Sequence, residues 1–467
     1  MRAIKFFSIL VLLALACQMG WGQMPTIKAK SNKASVRIGK NFYKDAWQMK
    51  ANLQADPGNI GNEVENAGTV MAVVTDLDSV SFVVKPGQSY PFRVIINQKD
   101  TVWATFKGGF LKANFSEAYK KANDNKTLVE VPKLYELVNI VMAITPTGQR
   151  DSVMIEHENA YYNQVQARFG SYKNHKAVAV MDSLLKANQY FEVKMDAYSF
   201  EFDPKGNLQK KPEYHRISWG TENTIAPYIA LLQDFAKKSD FQSFYQKSKP
   251  FYNRMIRAYQ DSLGVPAMQV WLNRNFPATR YNCFKIIFSP LVSGNQSATS
   301  FENNGFNEGQ SHVNFPDFWY NPKTSKVSEK SVNVQRGNIV FTELNHLFEN
   351  PEFDQKENSK NFNAFDFDLA VFADKTKPAG SYGNPLSCVQ EYMNWGLVSL
   401  RYIDTAPQAD WEVLFGQLDN RMTNYRGFKK FKIFNRFLID LYLKRPKGQV
   451  VADLYPQIIA WFKENNQ

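Results

Sequence analysis

The residues best equipped for chemistry in this 467-residue chain are Glu343 and His346, within the run Phe341-Thr342-Glu343-Leu344-Asn345-His346-Leu347-Phe348-Glu349-Asn350-Pro351. The run is one residue away from the zinc-binding HExxH pattern. In that pattern two histidines four apart hold the metal from one helix face, and the glutamate beside the first activates water. Here Thr342 stands where the first histidine would be. On a helix, Thr342 and His346 share a face, as do Glu343 and His346. With Ile339, Val340, Leu344, Leu347 and Phe348 buried, Glu343 and His346 sit within a largely apolar helix. Both then need partners, because an unpaired buried charge is costly. A metal would satisfy them, and so would a mutual hydrogen bond; a glutamate and a histidine three apart also recur without any function.

Other chemistry is less well supported. The chain has no G-x-S-x-G elbow, Walker loop or dinucleotide-binding fingerprint. Nothing local supports a nucleophilic pair at Cys283 or Cys388. Asp366 and Asp368 alternate with aromatics in Phe365-Asp-Phe-Asp-Leu-Ala and read as solvated loop carboxylates rather than a glycosidase pair. Of the other histidines, His157, His175, His215 and His312, the last lies upstream of the motif in Gln310-Ser311-His312-Val313. It is the candidate for a substitute metal ligand.

The elements that must position these groups fall into two zones. Up to about Phe110 the chain reads as β structure. Thr69–Val74, Ser79–Val84, Phe92–Asn97 and Thr101–Phe106 are rich in Val, Ile, Thr and Phe, with turns at Lys85-Pro86-Gly87 and Gln98-Lys99-Asp100, a pattern of antiparallel hairpins. Beyond Gly108-Gly109 helical spacing dominates. It begins with a buried helix over Leu134–Ile144 that Pro132 starts and Pro146 stops. It recurs over Tyr161–Phe169, Ala177–Ala187, Pro227–Phe235, Phe241–Leu263, Pro266–Phe276, Val334–Phe348, Val389–Tyr402, Trp411–Arg421, Phe428–Leu443 and Val451–Phe462. Asn282–Phe288 is a strand candidate, Ser293–Gln310 reads as a loop, and Gln355–Gly380 reads as a polar loop over the site. The fold class expected is α+β, with N-terminal β hairpins followed by a mainly helical domain.

Arg2 and Lys5, the apolar run Phe6–Ala16 and the small residues Gly20 and Gly22 form a secretion signal over residues 1–22, cleaved before Gln23. Ala14-Leu15-Ala16-Cys17 offers an alternative, a lipobox with lipid on Cys17, and membrane contact is expected only in that case. The domain scheme is therefore 1–22 signal, 23–110 β-rich and 111–467 mainly helical. The protein is expected to be exported, periplasmic or extracellular. Cys283 and Cys388, the cysteines left after processing, either pair in an oxidising compartment or remain buried thiols.

The formal net charge is +12, and the excess is diffuse. The densest patch is Arg426, Lys429, Lys430, Lys432, Arg436, Lys444, Arg445 and Lys447, interleaved with Phe428, Phe431, Phe434, Phe437 and Leu438. It reads as an amphipathic helix with a solvated cationic face. An exported chain without a recognisable module is not expected to bind nucleic acid.

Phe341–Pro351 is similar to HEFSHSFVNP, the core motif of a family of secreted bacterial proteins of unknown function thought to be peptidase-like, matching at Glu343, His346, Phe348, Asn350 and Pro351. Four other segments resemble that family in the same order: Asp76–Gly87, Glu130–Ile140, Phe169–His175 and Glu391–Tyr402. The resemblance implies a zincin-like helical domain of the glutamate-zincin kind. It implies His346 and Glu391 as zinc ligands and Glu343 as general base, with Thr342 at the position of the missing ligand. Two ligands hold zinc weakly and leave its water insufficiently acidified. The expectation is thus a secreted, metallopeptidase-like protein with a degenerate HExxH site, its zinc weak or absent. It would bind a peptide, protein or envelope component without cutting it. The alternatives are an active zinc metallohydrolase with an unusual third ligand such as His312, and a non-enzymatic binding module unrelated to peptidases, in which Glu391 lies far from His346.

Overall fold

The computed structural model describes residues 24–50, 58–220, 222–315 and 326–467; the signal segment and the Cys17 lipobox lie outside them. The chain divides into two compact units, Met1–Leu111 and Lys112–Gln467. Among the described residues no helix is long and apolar enough to cross a membrane.

The first unit is built from β1 (Thr26–Ala29), β2 (Lys33–Ile38), β3 (Asn41–Gln48), β4 (Gly58–Val64), β5 (Thr69–Val74), β6 (Ser79–Val84), β7 (Ser89–Ile96) and β8 (Asp100–Phe110). They form two four-stranded sheets, ordered β1-β7-β8-β4 and β3-β2-β5-β6. The neighbours β2–β3, β2–β5, β5–β6 and β7–β8 are antiparallel, whereas β1 joins β7 and β4 joins β8 in parallel. Period-2 alternation turns Met71, Val73 and Val84 of one sheet and Phe92, Val94, Val102, Ala104 and Phe106 of the other into a shared apolar core. Gly87, at φ +72°, closes the turn between β6 and β7.

The second unit surrounds a mixed sheet of β9 (Lys126–Glu130), β12 (Cys283–Phe288), β13 (Ser297–Asn303) and β14 (Phe306–Val313), ordered β13-β14-β12-β9. A separate short hairpin pairs β10 (Phe200–Phe202) with β11 (Leu208–Lys210). β9, β12 and β14 run parallel, and β13 returns antiparallel along the edge. The segment Ser293–Gln310, expected to be a loop, is thus mostly a hairpin. Its strands are polar yet buried, at Ser297, Thr299, Asn303, Glu308 and Gln310. The turn is Asn304-Gly305, both at positive φ (52° and 71°), the two-residue geometry that suits the twist of a hairpin.

The polar strand face is compensated by a network. Glu308 accepts from Tyr119, from Tyr214 Oη (2.5 Å) and from Gln310 Nε2 (2.7 Å), with Lys285 Nζ 3.3 Å away. On the other face, Gly309 lets a helix approach closely: a Cβ there would lie 2.8 Å from Leu347 Cδ1 and 2.9 Å from Phe284 Cε1.

That helix carries the motif. The spacing predicts one helix through Val334–Phe348, but two form, Glu329–Arg336 and Asn338–Phe353, meeting at Gly337. A Cβ at Gly337 would come 2.4 Å from Met268 Cε and 3.1 Å from Arg401 Nη2, so a larger residue at the junction would displace the Met268 side chain. Pro351 in the last turn has no N–H for the Leu347 carbonyl, and the Tyr281 hydroxyl donates to that carbonyl instead (2.8 Å). The helix Pro385–Thr405 packs alongside, capped by Asn384, whose Oδ1 accepts from Ser387 N (2.9 Å). Gly396 brings it against Phe431–Lys444, since a Cβ there would meet Leu438 Cδ2 at 2.6 Å.

Gln355–Gly380 is not a continuous polar loop. It holds the short helices Lys356–Phe362 and Leu369–Phe372. Phe367 stacks on Phe372, and both rings pack on Phe462. The basic patch is also less free than its spacing suggests. Arg436 pairs with Asp419 (3.3 Å) and Glu412 (3.1 Å), Lys429 donates to the Ala370 carbonyl (2.8 Å), and Lys430 reaches the Asn465 and Gln467 carbonyls.

Candidate functional site

The two helices bring His346 and Glu391 together. His346 Nε2 lies 3.4 Å from Glu391 Oε1, with the side chains 22% and 8% exposed, so the pair is mostly buried but reachable. Asn345 Nδ2 donates to the Asn394 carbonyl (3.0 Å) and ties the helices at this level. His346 Nδ1 faces Asn350 Oδ1 at 3.3 Å, one helical turn on. At Nε2 the ring also meets the Asn394 side-chain amide, 2.8 Å away. Burial alone would lower the imidazole, but the Glu391 hydrogen bond and charge outweigh it and bring it up to about 9. An imidazolium must donate at Nε2. The Asn394 Oδ1, otherwise unpartnered, is therefore the atom to turn toward it.

Glu391 is held from its other side as well. Trp395 Nε1 donates to Oε2 (3.1 Å), and Arg426 Nη2 lies 3.4 Å from the same oxygen. Burial would push this carboxyl up, yet the His346 hydrogen bond and the Arg426 charge hold it below the ordinary value. Arg426 also donates to the Tyr382 hydroxyl (2.8 Å) and lies over the Trp395 ring at 5.3 Å. Expected on a solvated helix face, Arg426 instead ends a π-helical turn, Arg421–Arg426, which Gly427 closes at φ +87°. The wider turn aims the guanidinium into the site.

Glu343 is near enough to feel His346, Glu391, Lys194 and Arg426. Burial raises its carboxyl to about 7, with His346 opposing. Lys194, not anticipated from the sequence, is buried in the opposite sense. Desolvation lowers it to about 7, Glu343 pulls it back up, and its Nζ donates to the Asn295 carbonyl (2.7 Å). Glu349 sits one turn beyond His346, fully buried, with neither carboxyl oxygen hydrogen-bonded; burial drives it well above the usual carboxylate range. The signals for Glu349 and Lys194 were weak. Glu349 is a carboxylate three residues from His346, and Lys194 is a lone lysine on the helix Tyr190–Asp196.

Thr342 lies in the expected helix but its hydroxyl donates to the Ile339 carbonyl (2.8 Å). His312 is buried in β14 with other neighbours: Gln310 Oε1 at 3.2 Å, the Tyr135 and Tyr198 rings, and the Lys194 charge. Cys283 and Cys388 are both buried free thiols. Among the described residues no group of three or more His, Cys, Asp and Glu is placed to hold a metal ion. The donors at the centre are one imidazole and one carboxylate. A catalytic zinc takes three protein ligands, and His346 with Glu391 makes two.

No family model, curated protein or solved structure matches the chain.

Proposed function

We propose that the Lys112–Gln467 unit is a zincin-like domain whose metal site has decayed. It would act as a binding protein, taking a peptide, protein or envelope component at the His346–Glu391 pair. The supporting observation is the meeting of these two side chains at 3.4 Å from helices well separated in sequence. The reading as a module unrelated to peptidases expected Glu391 far from His346, whereas the two lie 3.4 Å apart. The charge balance agrees with the non-catalytic reading. Arg426 and a protonated His346 supply Glu391 with the positive charge that a metal would bring, and Lys194 does the same for Glu343. The half-buried imidazole and Glu343 leave polar groups that a peptide backbone can use. Export to the periplasm or the exterior, with lipidation at Cys17 as the alternative, belongs to the same proposal.

One observation favours the hydrolytic alternative. Glu343, at about 7, has the proton affinity of a general base working near neutrality. Metal content separates the two readings. We expect the wild type, purified from metal-replete medium, to hold well under one zinc per chain, and Thr342→His to acquire zinc. Stoichiometric zinc in the wild type would overturn the decayed-site reading.

A further inference from the structure

A second feature lies away from the His346–Glu391 pair and shares none of its residues. A cavity of about 220 Å³ opens between the start of the helix Val265–Asn275, the helix Glu329–Arg336 and the end of Pro385–Thr405. Its walls are mostly apolar, from Leu263, Ala267, Met268, Trp271 and Val334. Ser262, Lys330, Asn333 and Thr405 also contribute polar groups, and the one buried cation is Arg401, only 5% exposed. Its Nη1 donates to the Val334 carbonyl (3.1 Å) and its guanidinium lies 5.0 Å over the Phe341 ring. No acidic side chain among the described residues pairs with it. Desolvation lowers it to about 10, and the only charge partner opposing that is the Tyr402 hydroxyl. A buried guanidinium without a counter-charge is costly, and the Val334 carbonyl takes only one of its five N–H donors.

Two further features have the same sign. The helix Val265–Asn275 begins at Gly264 with no side-chain cap, and although Pro266 contributes no N–H, its positive dipole end lies at the cavity wall. Lys330 stands exposed at the rim.

From this we infer that the cavity is a binding site for a small monocarboxylate with a short apolar tail. The carboxylate would meet the Arg401 fork, and the tail would lie against Met268 and Trp271. One buried cation matches one negative charge and planar oxygens. A phosphate would bring a second charge, whereas Lys330 is exposed at the rim and Arg401 is the one buried cation among the lining residues. The volume equals on the order of seven water molecules, the bulk of an acid of roughly eight to twelve non-hydrogen atoms.

The test is calorimetric titration of the intact protein with hexanoate, its neutral isostere hexanamide, N-acetylleucine and inorganic phosphate. We expect hexanoate or N-acetylleucine to bind at least about tenfold more tightly than hexanamide or phosphate, the difference a charge-assisted hydrogen bond makes. Preference for hexanoate would assign a free acid, and preference for N-acetylleucine a peptide C-terminus. Ala267→Trp, at an exposed position on the mouth, should abolish binding, and Lys330→Glu should weaken it a few-fold. Arg401→Met should remove the preference for the acid over the amide. Should that variant not fold, Ala267→Trp and the amide comparison decide alone. Equal affinity for hexanoate and hexanamide, tighter phosphate binding, no hexanoate binding at millimolar concentration, or binding unaffected by Ala267→Trp would each overturn the assignment.

Discussion

Replacing Glu391 with glutamine removes the carboxylate while keeping its shape, and isolates the electrostatics of the pair. In the wild type the Glu391 hydrogen bond and charge, aided by Glu343, overcome burial and carry His346 from 6.5 to about 9. A rise of that size corresponds to about 3 kcal/mol of preference for the imidazolium in the folded protein. The folded value lies above the unfolded one. The stabilisation is therefore complete below pH 6.5 and is lost as the pH climbs through about 9. In Glu391→Gln burial prevails and the ring titrates below its ordinary value. Loss of the Arg426 contact adds a penalty that does not change over this range. The difference in unfolding free energy between wild type and variant should thus shrink by about 3 kcal/mol between about pH 6 and about pH 9.5. Urea denaturation across that range measures the difference, and proton NMR of the imidazoles, assigned with His346→Gln, follows the titration directly. A difference independent of pH, or a wild-type His346 that titrates at or below 6.5, refutes the coupling.

Glu349→Gln should act in the opposite direction. The wild-type carboxyl stays protonated in the folded state while its unfolded counterpart ionises above 4.5, which costs stability as the pH rises. The variant should be more stable at neutral pH by about 1–2 kcal/mol, a gain that vanishes in acid below the unfolded value; an unchanged urea midpoint at neutral pH would count against a protonated Glu349. Gly305→Val places a β-branched residue at φ +71° in the β13–β14 turn. It should cost about 1–2 kcal/mol by urea midpoint while leaving the His346 titration where it was.

The α+β order and the N-terminal antiparallel strands were legible because local signals and tertiary context agree there. Thr69–Val74 and Ser79–Val84 appear with the expected ends, since alternation, β-branched residues and the Lys85-Pro86-Gly87 turn all point the same way. The hairpin Ser297–Val313 was not legible from composition. Most of its buried residues are polar, and the partners of Glu308 (Tyr119, Tyr214 and Lys285) come from distant parts of the chain. The local clue was Asn304-Gly305. At the site, His346 and Glu391 come within 3.4 Å of each other. Arg426 was misplaced because the helical period of Phe428, Phe431 and Phe434 extends backward through it in sequence, whereas the π turn and Gly427 break that period in space. Lys194 had no local signal, because its burial depends on the distant Asn295 carbonyl and on the Tyr190 and Phe191 rings.

The two unpaired thiols make this chain its own reporter of breathing motions. Burial pushes both Cys283 and Cys388 up to about 12, so at neutral pH almost no thiolate is present to react. An alkylating reagent therefore counts openings rather than surface. Cys283 lies in the central strand β12, and Cys388 in the first turn of the helix that presents Glu391. With Cys17 changed to serine, the two labelling rates would time the release of the sheet and of that helix separately, with no dye or engineered tag.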